Sequence, residues 1–291
     1  MPRPQPGIFA LGTAAHFHVE LTLRPGVGTD DVRRAVAALA PAAPVDQTWL
    51  VAGLAPAVMG RLAPEAAPAD LHDFAAISGS GGRGAPATQH DLWVWVQGPS
   101  PDVVLDRVRD AARTLVPVAD VVLEQACFVY RDSRDLTGFV DGTENPEPSE
   151  APEVALVAGG AAAGGSYAMT MRWIHDLAAF GSLTAREQER VIGRTKPDSL
   201  ELDPLPPDSH VGRVVVEADG EELAIYRRST PWGAATEAGL FFVAFSADPA
   251  RFDLMLARMF GTTGDGLHDR LTDFSRPVSG SYWFVPGLGM L

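Results

Sequence analysis

What most limits the folds open to this chain is the order in which its apolar periodicity changes. His16–Leu23 (HFHVELTL) alternates as a strand does, and Asp30–Ala40 (DDVRRAVAALA) follows at helical spacing with an acidic N-terminus. Thr48–Leu54 reads as a short apolar strand, Asp91–Gln97 (DLWVWVQ) as another, Pro101–Leu115 as a helix opened by Pro-Asp, and Val118–Arg131 as a strand. That order, β-α-β followed by β-α-β, is ferredoxin-like. The second half repeats it loosely. Ser166–Asp176 reads as a strand, and Thr184-Ala-Arg-Glu opens a helix with a capping box that runs to about Arg194. Glu222–Arg228 and Gly239–Ser246 read as a hairpin, Pro249–Phe260 as an amphipathic helix, and Ser279–Val285 as a last strand. The expectation is an α+β protein of two ferredoxin-like halves, with antiparallel sheets and peripheral helices. The halves are 1–145 and 146–291, joined across the Pro- and Glu-rich segment Asn145–Pro152. Ser78–Thr88, with its Ser-Gly-Ser-Gly-Gly-Arg-Gly run, reads as a mobile loop.

Composition narrows the function. The 291 residues are long enough to bury one large or two ordinary cores. The formal net charge is −14, from 23 Lys and Arg against 37 Asp and Glu. Phosphate contacts come from Lys and Arg, so nonspecific nucleic-acid binding is excluded and an anionic membrane surface is disfavoured. The single cysteine, Cys127, rules out an internal disulfide framework and any all-cysteine zinc or iron–sulfur site within one chain. It reads as a small buried strand residue. CxxCH is absent, and with it covalent c-type haem attachment. Met1–Gly7 lacks the basic and apolar regions of a secretory signal, and no apolar run approaches the ~20 residues of a membrane span. A cytoplasmic protein is expected.

Several residues invite chemistry. His16 and His18 share one strand face and could hold a metal, but no third ligand lies nearby in sequence, so both read as half-buried strand residues. His72 and His90 flank the glycine-rich loop and read as surface positions; His175, before Asp176, reads as a hydrogen-bonded structural histidine. His210 stands where the rigid Pro204-Leu-Pro-Pro-Asp-Ser loop meets an apolar segment, which can aim a ring nitrogen into a pocket, although taken alone it reads as a structural histidine. In Gly138-Phe-Val-Asp-Gly142 two glycines bracket Asp141 on a tight backbone. Ile225-Tyr-Arg-Arg-Ser-Thr-Pro231 places Arg227 and Arg228 on opposite faces of one strand. An inward arginine needs an anion or a buried carboxylate.

Taken together these blocks resemble the dye-decolorizing peroxidases in their bacterial B-type form. Gly138-Phe-Val-Asp-Gly142 looks like their GxxDG signature, Ser209-His210-Val211 like the context of their proximal haem ligand, and Ile225–Pro231 like that of their distal arginine, selecting Arg227. His268-Asp-Arg-Leu-Thr-Asp-Phe-Ser, Ser281-Tyr-Trp-Phe-Val-Pro and Gln5-Pro-Gly-Ile also look familial. The resemblance spans nearly the whole chain. It implies the dimeric α+β barrel superfamily, haem b (iron protoporphyrin IX), hydrogen peroxide, and dyes, phenols or other aromatics as reductants.

On that resemblance His210 is the metal ligand, with Asp269 as the carboxylate on its other ring nitrogen and Asp273 as the alternative. Asp141 would move a proton during peroxide cleavage, and Arg227 would stabilise the developing negative charge and pair with a haem propionate. Ser229 stands where some B-type members carry asparagine, so a second distal hydrogen bond would be lost or bridged by water. Family-level radical transfer points to Trp232, Tyr226, Tyr282 and Trp283, although each reads more simply as a core residue. Aromatic strand faces favour a homo-oligomer. The short Val285–Leu291 end gives no expectation of encapsulin cargo. A non-enzymatic haem carrier or iron-release protein of the same fold is the competing reading.

Overall fold

The structure is a computed structural model that describes residues 3–39, 43–218 and 220–291. In the first half β1 (Ala15–Leu23), β2 (Trp49–Leu54), β5 (Leu92–Gly98) and β6 (Ala119–Phe128) form the sheet. Short β3 (Ile77–Ser78) and β4 (Gly84–Ala85) pair with each other, so the glycine-rich segment contains a small antiparallel hairpin. Helices α1 (Thr29–Leu39), α2 (Pro56–Leu62) and α3 (Pro101–Leu115) accompany these strands. Ala40, the expected end of the first helix, lies outside the described residues. Helix α2 was not expected. A Pro at its start and buried Val58, Met59 and Leu62 hold it, too short a stretch for periodicity to register.

The second half supplies α4 (Ala151–Ala155), β7 (Ser166–His175), α5 (Leu177–Ser182), α6 (Ala185–Ile192) and α7 (His210–Val214). Next come the two-residue strands β8 (Glu217–Ala218), β9 (Glu221–Glu222) and β10 (Tyr226–Arg227), then β11 (Thr230–Gly233) and β12 (Ala238–Ser246). Helix α8 (Ala250–Phe260), β13 (Ser275–Pro277) and β14 (Ser281–Val285) complete it. The capping box at Thr184 is present, with Thr184 and Glu187 each satisfying the other's backbone N–H. The expected hairpin is corrected. Glu222–Arg228 is not one strand, because β9 pairs back onto β8 and only Tyr226–Arg227 reaches β12. The turn partner of β12 is instead β11, joined across Ala234–Glu237.

All the long strands are antiparallel, in the order β10-β12-β7-β14-β2-β5-β1-β6, with β11 also on β12 and β13 on β7. The two halves meet where Phe284 of β14 pairs with Leu54 of β2. At the other end β11 packs against β6, so the sheet curls round an interior. Strand alternation sorts the residues between its faces. On the N-terminal half the outer face packs against α3 and α1, which bury Val32, Val36, Val104 and Val108 at a few per cent exposure or less. Each such side chain is worth roughly 1.5–3 kcal/mol of apolar burial. The inner face carries fully buried Trp93 and Trp95, with Trp283 and Phe245 opposite. His16 and His18 point into this interior and are buried completely rather than half-buried. A one-faced strand pattern cannot show that the second face is covered by the other half of the chain.

Candidate functional site

The outer face of β7 and β12 carries Met169, Met171, Trp173, Leu240 and Phe242, and α8 faces it with Met255, Leu256 and Met259. Between them lies a mostly apolar cavity, also lined by His210, Asp141, Arg227 and His175. Apolar walls with a few convergent polar groups are the usual character of a cofactor site.

His210 reaches the cavity from the first turn of α7. The buried Ser209 caps this helix, its hydroxyl accepting from the Gly212 N–H at 3.2 Å and donating to the Pro206 carbonyl at 2.6 Å. A side chain at Gly212 would meet that same carbonyl at 2.6 Å, so the loop can fold this tightly only with glycine there. His210 Nδ1 lies 2.6 Å from Oδ2 of Asp269, which is wholly buried and accepts the Leu271 N–H on its other oxygen at 2.8 Å. A carboxylate only accepts, so Nδ1 carries the proton, and in the neutral imidazole it is Nε2 that offers the lone pair. Nε2 has no hydrogen-bond partner among the described residues. The alternative carboxylate, Asp273, is engaged elsewhere, with Arg83 and with His268 at 3.2 Å.

A clamp that sequence reasoning missed anchors α7 to α8. The buried Arg213 donates to the Arg258 carbonyl at 3.0 Å and to Asp265 at 2.7 Å, while Arg258 donates back to the carbonyls of Arg213 and Gly212 at 2.9 Å. The bonds from Arg213 hold the Asp265 carboxyl down at about 2. Neither arginine falls in a recognisable motif, so nothing in the order of residues marks the pairing.

Asp141 and Arg227 come together from different elements. Gly138 and Gly142 have φ of +91° and +82°, the left-handed region that favours glycine, and so turn the loop about Asp141. Arg134 ties that loop down through the carbonyls of Gly138 and Lys196 at 2.9 and 2.8 Å. Asn145 then fastens it to β10, accepting the Arg227 N–H at 2.8 Å and donating to the Arg227 carbonyl at 2.9 Å. Desolvation raises the Asp141 carboxyl above its ordinary range; the Arg227 charge opposes that shift and Asp135 adds to it. The Arg227 guanidinium has no hydrogen-bond or ion-pair partner among the described residues. Arg228 points into the interior instead, bonded to the Ile8 and Ala10 carbonyls and, at 2.8 Å, to Gln97.

Asp141 and Arg227 also line a second, more open cavity, shared with Tyr130, Arg134, Asn145 and Ser229. Ser229 belongs to this second space and not to the lining of the first, and its hydroxyl bonds the backbone of Val243, 3.2 Å from the N–H. His175 on the first cavity is held by Ser275 at 2.7 Å and Asp135 at 3.1 Å. Burial works to raise the Asp135 carboxyl, but its bonds to His175 and Thr137 outweigh burial and bring it down to about 2. Trp232, Tyr226, Tyr282 and Trp283 are all buried, as is Cys127. No group of metal-ligating side chains occurs among the described residues, and no described helix is long and apolar enough to cross a membrane.

Two family models match the chain: Dyp-type peroxidase, N-terminal, over residues 19–129, and Dyp-type peroxidase, C-terminal, over residues 132–290. A dye-decolorizing peroxidase from Mycolicibacterium paratuberculosis is 35% identical, covering 99% of this chain and 85% of that one. Among solved structures, a dyp-type peroxidase protein from Shewanella oneidensis is 33% identical with a TM-score of 0.94, covering 100% of this chain and 98% of that one. An Asp-to-Ala variant of DypB from Rhodococcus jostii RHA1 in complex with haem is 34% identical, TM-score 0.88, covering 95% and 94%. The encapsulated DyP-type peroxidase from Mycobacterium smegmatis is 33% identical, TM-score 0.90, covering 99% and 97%. The fold and these matches define an α+β peroxidase. The chain belongs to the Dyp-type peroxidase family and is an enzyme of the dye-decolorizing class.

Proposed function

We propose that this protein is a haem b peroxidase that reduces hydrogen peroxide and oxidises dyes, phenols or other small aromatics, with His210 as the residue that would hold the iron. The observation that carries the reading is the His210–Asp269 pair, which leaves Nε2 without a hydrogen-bond partner beside a mostly apolar cavity. These residues fit a haem: a thioether- and phenyl-lined slot suits the macrocycle, and a histidine oriented by a carboxylate suits the iron. When bound, the haem supplies the redox chemistry, taking the oxidising equivalents of peroxide and passing them to a reductant one electron at a time.

The protein's own groups do the rest. Asp269 holds the proton on Nδ1 of His210, which keeps Nε2 electron-rich. Asp141, its carboxyl raised by desolvation, is suited to take a proton from one peroxide oxygen and return it to the departing one. Such assistance is worth ~10²–10⁴-fold. Arg227 brings a permanent cation to the charge that develops as the O–O bond breaks, and is placed to meet a propionate. Ser229 keeps its hydroxyl on the Val243 backbone, so a second hydrogen bond to peroxide would be lost or bridged by water. The reading includes a cytoplasmic homo-oligomer, two units split at 145/146, and no role in binding nucleic acid or membrane.

Replacing His210 by Ala tests the ligand directly. The variant, reconstituted with haem, is expected to show an altered Soret band and reduction potential. An unchanged spectrum and potential would show that another residue holds the iron.

A further inference from the structure

The glycine-rich hairpin β3–β4 lies outside the lining of both cavities, yet it reaches the support of His210 from behind. Its backbone presses on the C-terminal end of α8. A Cβ at Gly79 would run into the Phe260 carbonyl, so the two segments approach this closely only with glycine there. Gly261, which ends α8 with φ of +70°, is fitted as tightly; a Cβ there would stand 2.7 Å from the Leu267 carbonyl and 2.9 Å from the Ser80 hydroxyl. Within the hairpin the Gly79 N–H donates to the Arg83 carbonyl at 2.8 Å, and the Arg83 side chain folds back over the turn to donate to the Ser80 carbonyl at 3.1 Å.

The same guanidinium crosses to the C-terminal half of the chain. It donates to Asp273 Oδ1 through Nε at 2.9 Å and again through Nη2, while His268 Nε2 lies 3.2 Å from that same oxygen. His268 and Asp273 bracket the one-turn helix Arg270–Asp273, whose cap is Asp269. Three side chains thus close a clasp across the segment that carries the carboxylate partner of His210. Backbone bonds reference that segment to its surroundings. The Asp269 N–H donates to the Met259 carbonyl of α8 at 2.9 Å, the Arg270 N–H to the Asp208 carbonyl at 3.0 Å, and the Thr272 hydroxyl to the Asp269 carbonyl at 2.6 Å. Asp208 stands two residues before His210, so the histidine and its carboxylate share one frame.

One end of this frame has no anchor within its own half. Asp269, at the start of the turn, is wholly buried and doubly bonded, whereas Asp273, at its end, is 28% exposed and held by His268 and by Arg83. A carboxylate gripped through two N–H groups of one guanidinium is fixed in direction as well as in distance. The bond it protects is short, 2.6 Å between His210 Nδ1 and Asp269 Oδ2, and a bond of that length tolerates little rotation of the turn beneath it.

We infer that Arg83 is a positioning residue for His210: through Asp273 it fixes the turn that aims Asp269, and so links the glycine-rich hairpin of the N-terminal half to the strength of the His210–Asp269 bond. This rests on the reading of His210 as the residue that would hold the iron. Arg83 touches neither the cavity nor the histidine. Its effect on donation from Nε2 passes through the order Arg83, Asp273, Asp269, His210.

The experiment compares the parent chain with Arg83→Gln, Asp273→Asn, the double variant and Asp269→Asn. In the ferrous, haem-loaded proteins, resonance Raman spectroscopy reads the iron–histidine stretching frequency. Arg83→Gln should lower it part of the way towards the value in Asp269→Asn, and Asp273→Asn should do the same. The double variant should fall no further than the larger single change, because both substitutions open one clasp. The direction is informative. Loss of a cation acting only through its field would make the histidine a stronger donor and raise the frequency, whereas a loosened carboxylate lowers it. In the haem-free proteins the nitrogen-15 shift of His210 Nδ1 should move in the same sense in Arg83→Gln as in Asp269→Asn. Denaturant midpoints should barely change in Arg83→Gln, since the Arg83–Asp273 pair is partly exposed, at 25% and 28%. Arg83→Lys, which keeps the charge but loses the fork, should give a frequency between those of the parent and Arg83→Gln. An unchanged or raised frequency in Arg83→Gln, or shifts of the two single variants that add in full, would overturn the inference. A haem spectrum lost in His210→Ala leaves the ligand reading standing in those cases; a spectrum unchanged in His210→Ala removes both.

Discussion

Asp269 and Arg227 show at the residue scale how little freedom the site has. Asp269 is wholly buried and spends one oxygen on a backbone N–H, leaving the other for His210. Asp269→Asn keeps the shape but replaces a charged acceptor with a neutral amide. Haem affinity or peroxide reactivity should fall ~10–100-fold, as is common for partners of a metal-bound histidine, and the reduction potential of the reconstituted protein should rise. Titration with haem and a potentiometric measurement check both. Arg227→Leu removes a cation that has no ion-pair partner among the described residues. Stopped-flow mixing with peroxide should show the Soret change slowed by ~10²-fold or more, while haem binding persists. A rate equal to that of the parent chain would end its assignment.

The elements matter because the site is assembled across β7, β10, β12, α7 and α8 and the loop about Asp141. The Asp141 loop and β10 are far apart in sequence, and their join is the reciprocal pair of bonds between Asn145 and the backbone of Arg227. Asn145→Ala leaves a buried N–H and carbonyl to find other partners, at a cost of about 1–3 kcal/mol. The expected outcome is a lower denaturant midpoint together with slower reaction with peroxide, because Arg227 and Asp141 lose their common reference. A midpoint shift without any kinetic effect would show that Asn145 only stabilises the loop. Arg227 was readable within its motif block, but that Asn145 grips its backbone was not. Hydrogen bonds between distant segments leave no period or spacing in the chain.

Across the whole molecule, closing two half-sheets round one interior has a measurable consequence. Glu20 carries a proton more readily folded than unfolded, its carboxyl raised from 4.5 to about 8 by burial. Between those values the folded state binds more protons than the unfolded one, so stability falls as pH rises through that window and levels off above it. The loss amounts to at most about 5 kcal/mol. Glu20→Gln removes it. Denaturant midpoints measured from about pH 5 to pH 9 should decline for the parent chain and stay flatter for the variant, which should be the more stable of the two at the alkaline end. Parallel curves would mean that Glu20 is solvated in the folded protein.

From its order of residues alone the chain determined what local physics controls. Alternation and helical spacing set most of the strands and helices, the capping box set the start of α6, and glycines at left-handed positions set the turn about Asp141. The motif blocks also carried the family and the candidates His210, Asp141, Arg227 and Asp269. Tertiary structure alone decided which carboxylate meets His210, since Asp269 and Asp273 are equally near in sequence and only packing puts Asp273 beside Arg83. It decided that Arg227 faces the cavity and Arg228 the interior, and that His16, His18 and Glu20 are sealed beneath a second half-sheet. The division has one physical reason: period and turn chemistry act over a few residues, whereas burial, charge pairing and cavity walls come from segments that meet only after the chain has folded.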